Sequence, residues 1–154
     1  MLISTKGRYG LRSMADLVIY AQENPVPLRE IAERQGISES YLEQVFALLR
    51  KAGLVNAVRG SYGGYTLARP ADQITVGEVL QALEGPLTLA NCAKIGNPLD
   101  CEKMDSCLTM PFWKELSAKM EEVMFSTTLR DLVTKEKTPP EAGRGTTGKN
   151  ERGN

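Results

Sequence analysis

The sequence predicts a mainly α-helical fold with a small β wing: a winged helix-turn-helix domain followed by a long C-terminal helix. Three observations carry that prediction. Two short amphipathic segments within residues 27–51 meet at Gly36. An alternating strand, Leu54-Val55-Asn56-Ala57-Val58, is returned through Arg59-Gly60-Ser61-Tyr62-Gly63-Gly64 to a partner, Tyr65-Thr66-Leu67-Ala68. Farther on, Phe112, Leu116, Met120, Val123 and Thr127 recur at helical spacing.

The chain begins with a helix over about Thr5 to Ala21, whose inner side is read as Leu11, Met14, Ala15, Val18 and Ile19. A second helix spans about Leu28–Gln35; Pro27 suits its first turn, and Leu28, Ile31 and Ala32 mark its buried face. Gly36 permits the positive φ of a tight helix–helix turn, and Ile37 plugs the corner. Ser38 is a good N-cap for the third helix. Leu42, Val45, Phe46 and Leu49 then form one apolar face, while Ser40, Glu43, Gln44 and Ala47 form the other. Short or polar side chains at the start of such a helix, with Tyr41 among them, suit contacts with base edges. Gln44 can pair with adenine, and Glu43 can accept from the cytosine amino group. A glutamate there repels phosphate, so it favours specificity over affinity. In the wing, Arg59 is free to enter a minor groove, where negative potential favours guanidinium. The glycines match no nucleotide-binding fingerprint, and no P-loop lysine follows them.

Thr75 and Glu78 form a capping box for a short helix over Thr75–Leu83. Residues 85–108 lack helical periodicity. One helix is then expected from Phe112 to about Val133, with Trp113, Met124 and Leu132 widening its apolar stripe until it is too broad for a lone helix. A second copy of the chain is the expected cover. From Thr138 onward there is little to bury, which predicts disorder. The expected organisation is a DNA-binding domain at 1–84, a cysteine-bearing segment at 85–108, a dimerisation helix at 109–135 and a disordered tail at 136–154.

Of 154 residues, 19 are Lys or Arg and 19 are Asp or Glu, so the formal charge is zero. The distribution is uneven: residues 1–70 carry +3 and residues 71–154 carry −3. The basic half holds the helix-turn-helix, where Lys6, Arg8, Arg12, Arg50, Lys51 and Arg59 are candidate phosphate contacts. No apolar run approaches the ~18 residues of a membrane span. The N-terminal residues lack the pattern of a signal peptide, so a cytoplasmic protein is expected. With no histidine, no evident nucleophile–base pair and no nucleotide motif, nothing in the sequence calls for catalysis.

Cys92, Cys101 and Cys107 are the only cysteines. An odd number in a cytosolic chain argues against a disulfide framework. Three thiols within sixteen residues suggest one metal centre. Zinc sites usually contain CxxC pairs, which are absent, and the spacing is too open for a compact ferredoxin run. A cluster held by three cysteines and one further ligand fits best. Imidazole is ruled out as that ligand because the chain has no histidine. Met110, Asp100, Glu102, Asp105, a residue of a partner subunit and solvent all stay open.

These residues resemble the IscR-like iron–sulfur cluster regulators, within the Rrf family of winged-helix repressors. The resemblance rests on Ser4-Thr5-Lys6-Gly7-Arg8-Tyr9, Glu33-Arg34-Gln35-Gly36-Ile37-Ser38, Ser40-Tyr41-Leu42-Glu43-Gln44, Val58-Arg59-Gly60 and Gly63-Gly64-Tyr65. Val76-Gly77-Glu78-Val79, the three cysteines, Cys107-Leu108-Thr109 and Thr128-Leu129 extend it to about residue 135. It implies a [2Fe–2S] cluster on the three cysteines with histidine as fourth ligand, a position that Met110 takes here. It further implies base reading by Glu43 and Gln44, cluster-dependent site choice through Glu43, minor-groove entry by Arg59 and pairing of two subunits through the long helix. The expected function is a homodimeric repressor of iron–sulfur cluster biogenesis genes, binding a pseudo-palindromic operator and receiving its cluster from donor proteins. Two alternatives within the resemblance are a nitric-oxide- or iron-responsive repressor, and a cluster-free regulator of sulfur status acting through a partner enzyme of cysteine biosynthesis.

Overall fold

The computed structural model describes residues 2–90, 92 and 101–134. Helices α1 (Thr5–Tyr20), α2 (Leu28–Gln35) and α3 (Glu39–Lys51) precede strands β1 (Val55–Val58) and β2 (Gly64–Leu67). Helices α4 (Val76–Glu84), α5 (Met110–Ser126) and α6 (Leu129–Thr134) follow. Single 3-10 turns lie at Ala71–Gln73 and Met104–Ser106. The expected tail at 136–154 lies outside the described residues.

The helix-turn-helix forms for the local reasons the sequence suggests. Gly36 closes α2 in the left-handed region at φ 66°. The Ser38 hydroxyl accepts from the Tyr41 amide at 3.3 Å, capping α3. Leu42, Val45, Phe46 and Leu49 are fully buried. At about 1.5–3 kcal/mol for each large apolar side chain removed from water, this face secures α3 to the body. β1 and β2 pair antiparallel, from Val55 opposite Leu67 to Val58 opposite Gly64. Val26 adds a bridge to Tyr65 through hydrogen bonds of 3.0 and 2.8 Å, so the wing is stitched to the segment before α2.

Two expectations need correction. In α1, Leu17 is fully buried and Ile19 is 50% exposed. The inner face also carries Gly10, Ser13 and Asp16, which an apolar pattern passes over. Gly10 lets α1 approach α4 closely, since a Cβ there would overlap Leu83. Asp16 is buried because Arg34 grips it with two hydrogen bonds, at 3.0 and 2.8 Å, and Gln35 adds a third at 2.8 Å.

The second correction concerns the long helix. The helix expected from Phe112 to Val133 is two helices, broken at Thr127 and Thr128. The Thr128 amide donates to the Asp131 carboxylate at 2.9 Å, and the Asp131 amide donates back to the Thr128 hydroxyl at 3.2 Å. This capping box starts α6 afresh. Val76 N–H donates to the Thr127 carbonyl at 2.8 Å, and Leu129 N–H donates to the Ile74 carbonyl at 2.9 Å. Leu129 is fully buried, with Leu132 and Val133 packed against the same core. Leu132 therefore belongs to the winged-helix body and not to the stripe of α5.

Candidate functional site

The start of α3 presents its polar face outward. Ser38, Ser40, Glu43, Gln44 and Ala47 are exposed. The Ser38 hydroxyl is engaged as the cap. Tyr41 is half-buried, its ring edge-on to Tyr9 at 6.0 Å between centroids, so much of this residue serves packing. Arg50 and Lys51 are exposed in the last turn of α3, where cations suit the helix dipole.

Other cations are partly committed. Arg12 donates to the Gln35 carbonyl at 2.7 Å and lies 5.5 Å from the centre of the Tyr9 ring. Lys6 is half-buried, and its charge acts on Glu84. That carboxylate lies at the end of α4 yet caps α1, accepting from Ser4 N–H at 2.9 Å, Ser4 Oγ at 2.5 Å and Gly7 N–H at 3.1 Å. The Ser4 hydroxyl is the largest reason its pKa falls below the usual Glu value; burial opposes, and the two amides and Lys6 assist. The first turn of α1 has no acidic residue of its own, so Glu84 supplies the negative charge its amides attract.

In the wing, Arg59 is exposed but stands just before the turn. Gly63 N–H donates to the Gly60 carbonyl at 3.0 Å, so Ser61 and Tyr62 form the corner. Tyr62 is 94% exposed. Sequence reasoning passed over it; the signal was an aromatic residue between two turn glycines.

The cysteines lie on the segment from α4 to α5. None is in a disulfide; Cys92 and Cys107 are half-buried and Cys101 is exposed. Residues 91 and 93–100, with candidate Asp100, lie outside the described residues. Among the described residues no three metal-binding side chains gather at one point. The donor chemistry nevertheless suits iron–sulfur ligation, because soft thiolates are what such clusters take. The Cys107 sulfur lies 3.4 Å from the Thr109 hydroxyl, and its pKa is lowered first by that contact and then by the amides of Thr109 and Met110. Thr109 is the N-cap of α5 yet makes no side-chain cap hydrogen bond. Of the other ligand candidates, Met110 is buried in the first turn of α5, whereas Asp105 and Glu102 are exposed.

Helix α5 turns much of its apolar surface outward: Phe112, Leu116 and Val123 are 56%, 37% and 65% exposed. No helix among the described residues is long and apolar enough to cross a membrane.

Comparison with known proteins agrees with this arrangement. The regulator IscR of Vibrio parahaemolyticus is 44% identical over 134 residues, covering 87% of this chain and 78% of that one. The solved structure of T. potens IscR superposes with a TM-score of 0.68 at 44% identity, covering 86% of both chains. That of CymR, the global cysteine regulator of B. subtilis, superposes with a TM-score of 0.71 at 41% identity, covering 86% of this chain and 96% of that one. The mainly helical fold with a two-stranded wing is theirs as well. With relatives that are transcriptional regulators and not enzymes, and with the pattern of iron-dependent transcriptional regulators matching residues 3–135, the chain belongs to the Rrf2 family and is a DNA-binding transcriptional regulator.

Proposed function

We propose that this regulator is a cytoplasmic homodimer that represses iron–sulfur cluster biogenesis genes in response to a [2Fe–2S] cluster. The observation that carries the reading is the set of three free thiols between the winged helix and α5, one of them held toward thiolate. Cys92, Cys101 and Cys107 would hold the cluster, with Met110 or Asp105 as candidates for the fourth position. When bound, it supplies a redox-active, oxygen-sensitive group whose lability its ligands set. Ser38, Ser40, Tyr41, Glu43 and Gln44 face the major groove, Arg59 enters the minor groove, and Lys6, Arg50 and Lys51 hold phosphates. Two copies joined through α5 match half-sites about one turn, ~34 Å, apart. Gain or loss of cluster shifts operator preference through the segment that joins α4 to α5. Cluster-donor proteins are the partners this cycle requires.

The test is anaerobic purification followed by visible absorption and iron and sulfide analysis. A coloured protein with about two irons and two sulfides per chain supports the reading. Colour retained in Cys92→Ala removes that residue from the ligand set. A protein that stays colourless after reconstitution overturns the cluster role. It would favour a sulfur-status regulator acting through a protein partner, a reading supported by the likeness to a global cysteine regulator and by the lack of histidine.

A further inference from the structure

The wing displays an aromatic side chain that nothing in the fold uses. Tyr62 is 94% exposed, and among the described residues it has no hydrogen bond or ring contact. It occupies the corner of a turn followed by two glycines that lie close against backbone. A Cβ at Gly63 would meet the Gly60 carbonyl oxygen at 2.9 Å, and one at Gly64 would meet the Pro27 nitrogen at 2.6 Å. The electrostatic setting of the turn is one-sided. From Gln44 to Ala71 there is no acidic residue and there are four cations, Arg50, Lys51, Arg59 and Arg69. Arg69 is tied to Glu78 at 2.7 Å, whereas Arg50, Lys51 and Arg59 are exposed. A bare ring with a hydroxyl at its end, set in a cationic stretch, matches a surface that is anionic and has an apolar wall. The sugar–phosphate edge of a DNA groove is such a surface.

We infer that Tyr62 is a further DNA-contact residue, its ring lying on a deoxyribose and its hydroxyl donating to a phosphate at the minor-groove edge beside Arg59. This rests on the DNA-binding role of the wing proposed above. The contact gives the wing two functions: Arg59 supplies charge and Tyr62 supplies apolar cover. An apolar contact releases no counterions, so the two residues differ in their salt dependence.

The experiment uses duplexes that the wild-type full chain selects from a random pool, with dissociation constants measured across a salt series. Tyr62→Ala is expected to bind about tenfold more weakly with an unchanged salt slope, whereas Arg59→Ala lowers the slope by about one. Tyr62→Phe falls between wild type and Tyr62→Ala. Hydroxyl-radical footprints of Tyr62→Ala lose protection of sugars where the wing lies. Because the side chain is exposed, the variants should keep the wild-type melting temperature. Wild-type binding by Tyr62→Ala with an unaltered footprint overturns the inference alone and turns attention to a protein surface on the wing. Failure of the wild-type chain to select any duplex overturns the wing's DNA-binding role and the inference together.

Discussion

Helices α3 and α5 are both amphipathic, yet they dispose of their apolar faces in opposite ways. In α3, Leu42, Val45, Phe46 and Leu49 are all fully buried within one chain. In α5, Phe112, Leu116, Val123 and Phe125 stay 37–65% exposed, and Met110 is the only buried apolar residue. The winged-helix body thus completes its own core, whereas α5 leaves apolar surface for something else to cover. Stability in the first region is a property of the chain; in the second, if α5 is the proposed dimer helix, it depends on association.

A pair of truncations breaks this comparison most directly. Phe46→Ala should cost about 3–5 kcal/mol in urea unfolding, by an amount independent of protein concentration. Leu116→Ala should cost less than about 1 kcal/mol at high dilution but weaken self-association about tenfold in sedimentation experiments, with a midpoint that varies with concentration. A concentration-independent loss for Leu116→Ala would mean that α5 is covered by its own chain.

Asp16→Ala probes the polar part of the body. It leaves Arg34 and Gln35 without their buried acceptor and should cost about 3 kcal/mol, read from denaturant unfolding. Arg34 also stacks 3.8 Å from the centre of the Tyr20 ring, so Arg34→Lys should be destabilising despite keeping the charge.

A smaller, pH-dependent effect is expected at Glu84. Its folded pKa is depressed, so its stabilisation is present above the usual Glu value of about 4.3 and is lost as pH falls through the folded value. Wild type should therefore lose more stability than Glu84→Gln as pH falls below 5 to about 3, while near neutrality the variant is less stable by about 1 kcal/mol. Parallel pH profiles would show that the clasp on Ser4 and Gly7 contributes nothing.

The smallest effect lies in α5. The Ser117 hydroxyl is buried without a hydrogen-bond partner among the described residues, so Ser117→Ala should be neutral or stabilising by up to about 1 kcal/mol. A clear destabilisation would point to a partner supplied on association.

What the sequence revealed follows the range of the interactions involved. Gly36, Ser38 and the Thr75–Glu78 box are local devices, each readable within four residues, and the structure uses each as expected. The face of α3 was legible because all four of its apolar positions are buried. Asp16 and Glu84 were not, because what stabilises them is 18 and 80 residues away. The break at Thr128 was a local signal, Thr128-x-x-Asp131, masked by apolar periodicity running through it. Leu132 continues the spacing of α5 while packing against a different surface. For the cysteines the sequence names candidate donors, but periodicity carries no information on where an irregular segment places them.

The junction at Thr127 and Thr128 has a mechanical consequence. The far end of α5 is hydrogen-bonded to Ile74–Val76, where α4 begins, and its near end is joined through Thr109 and Leu108 to Cys107. Phe125 meets Gly77 there so closely that a Cβ would come within 2.7 Å of the ring. A helix of 17 residues is a rigid rod of about 25 Å. The rod therefore spans from the residues next to Cys107 to the root of α4, whose other end holds Glu84 and the first turn of α1. On the cluster role proposed above, α5 and α4 are thus the two packed elements that lie between the cysteines and Lys6, meeting at the hydrogen-bonded break at Thr127.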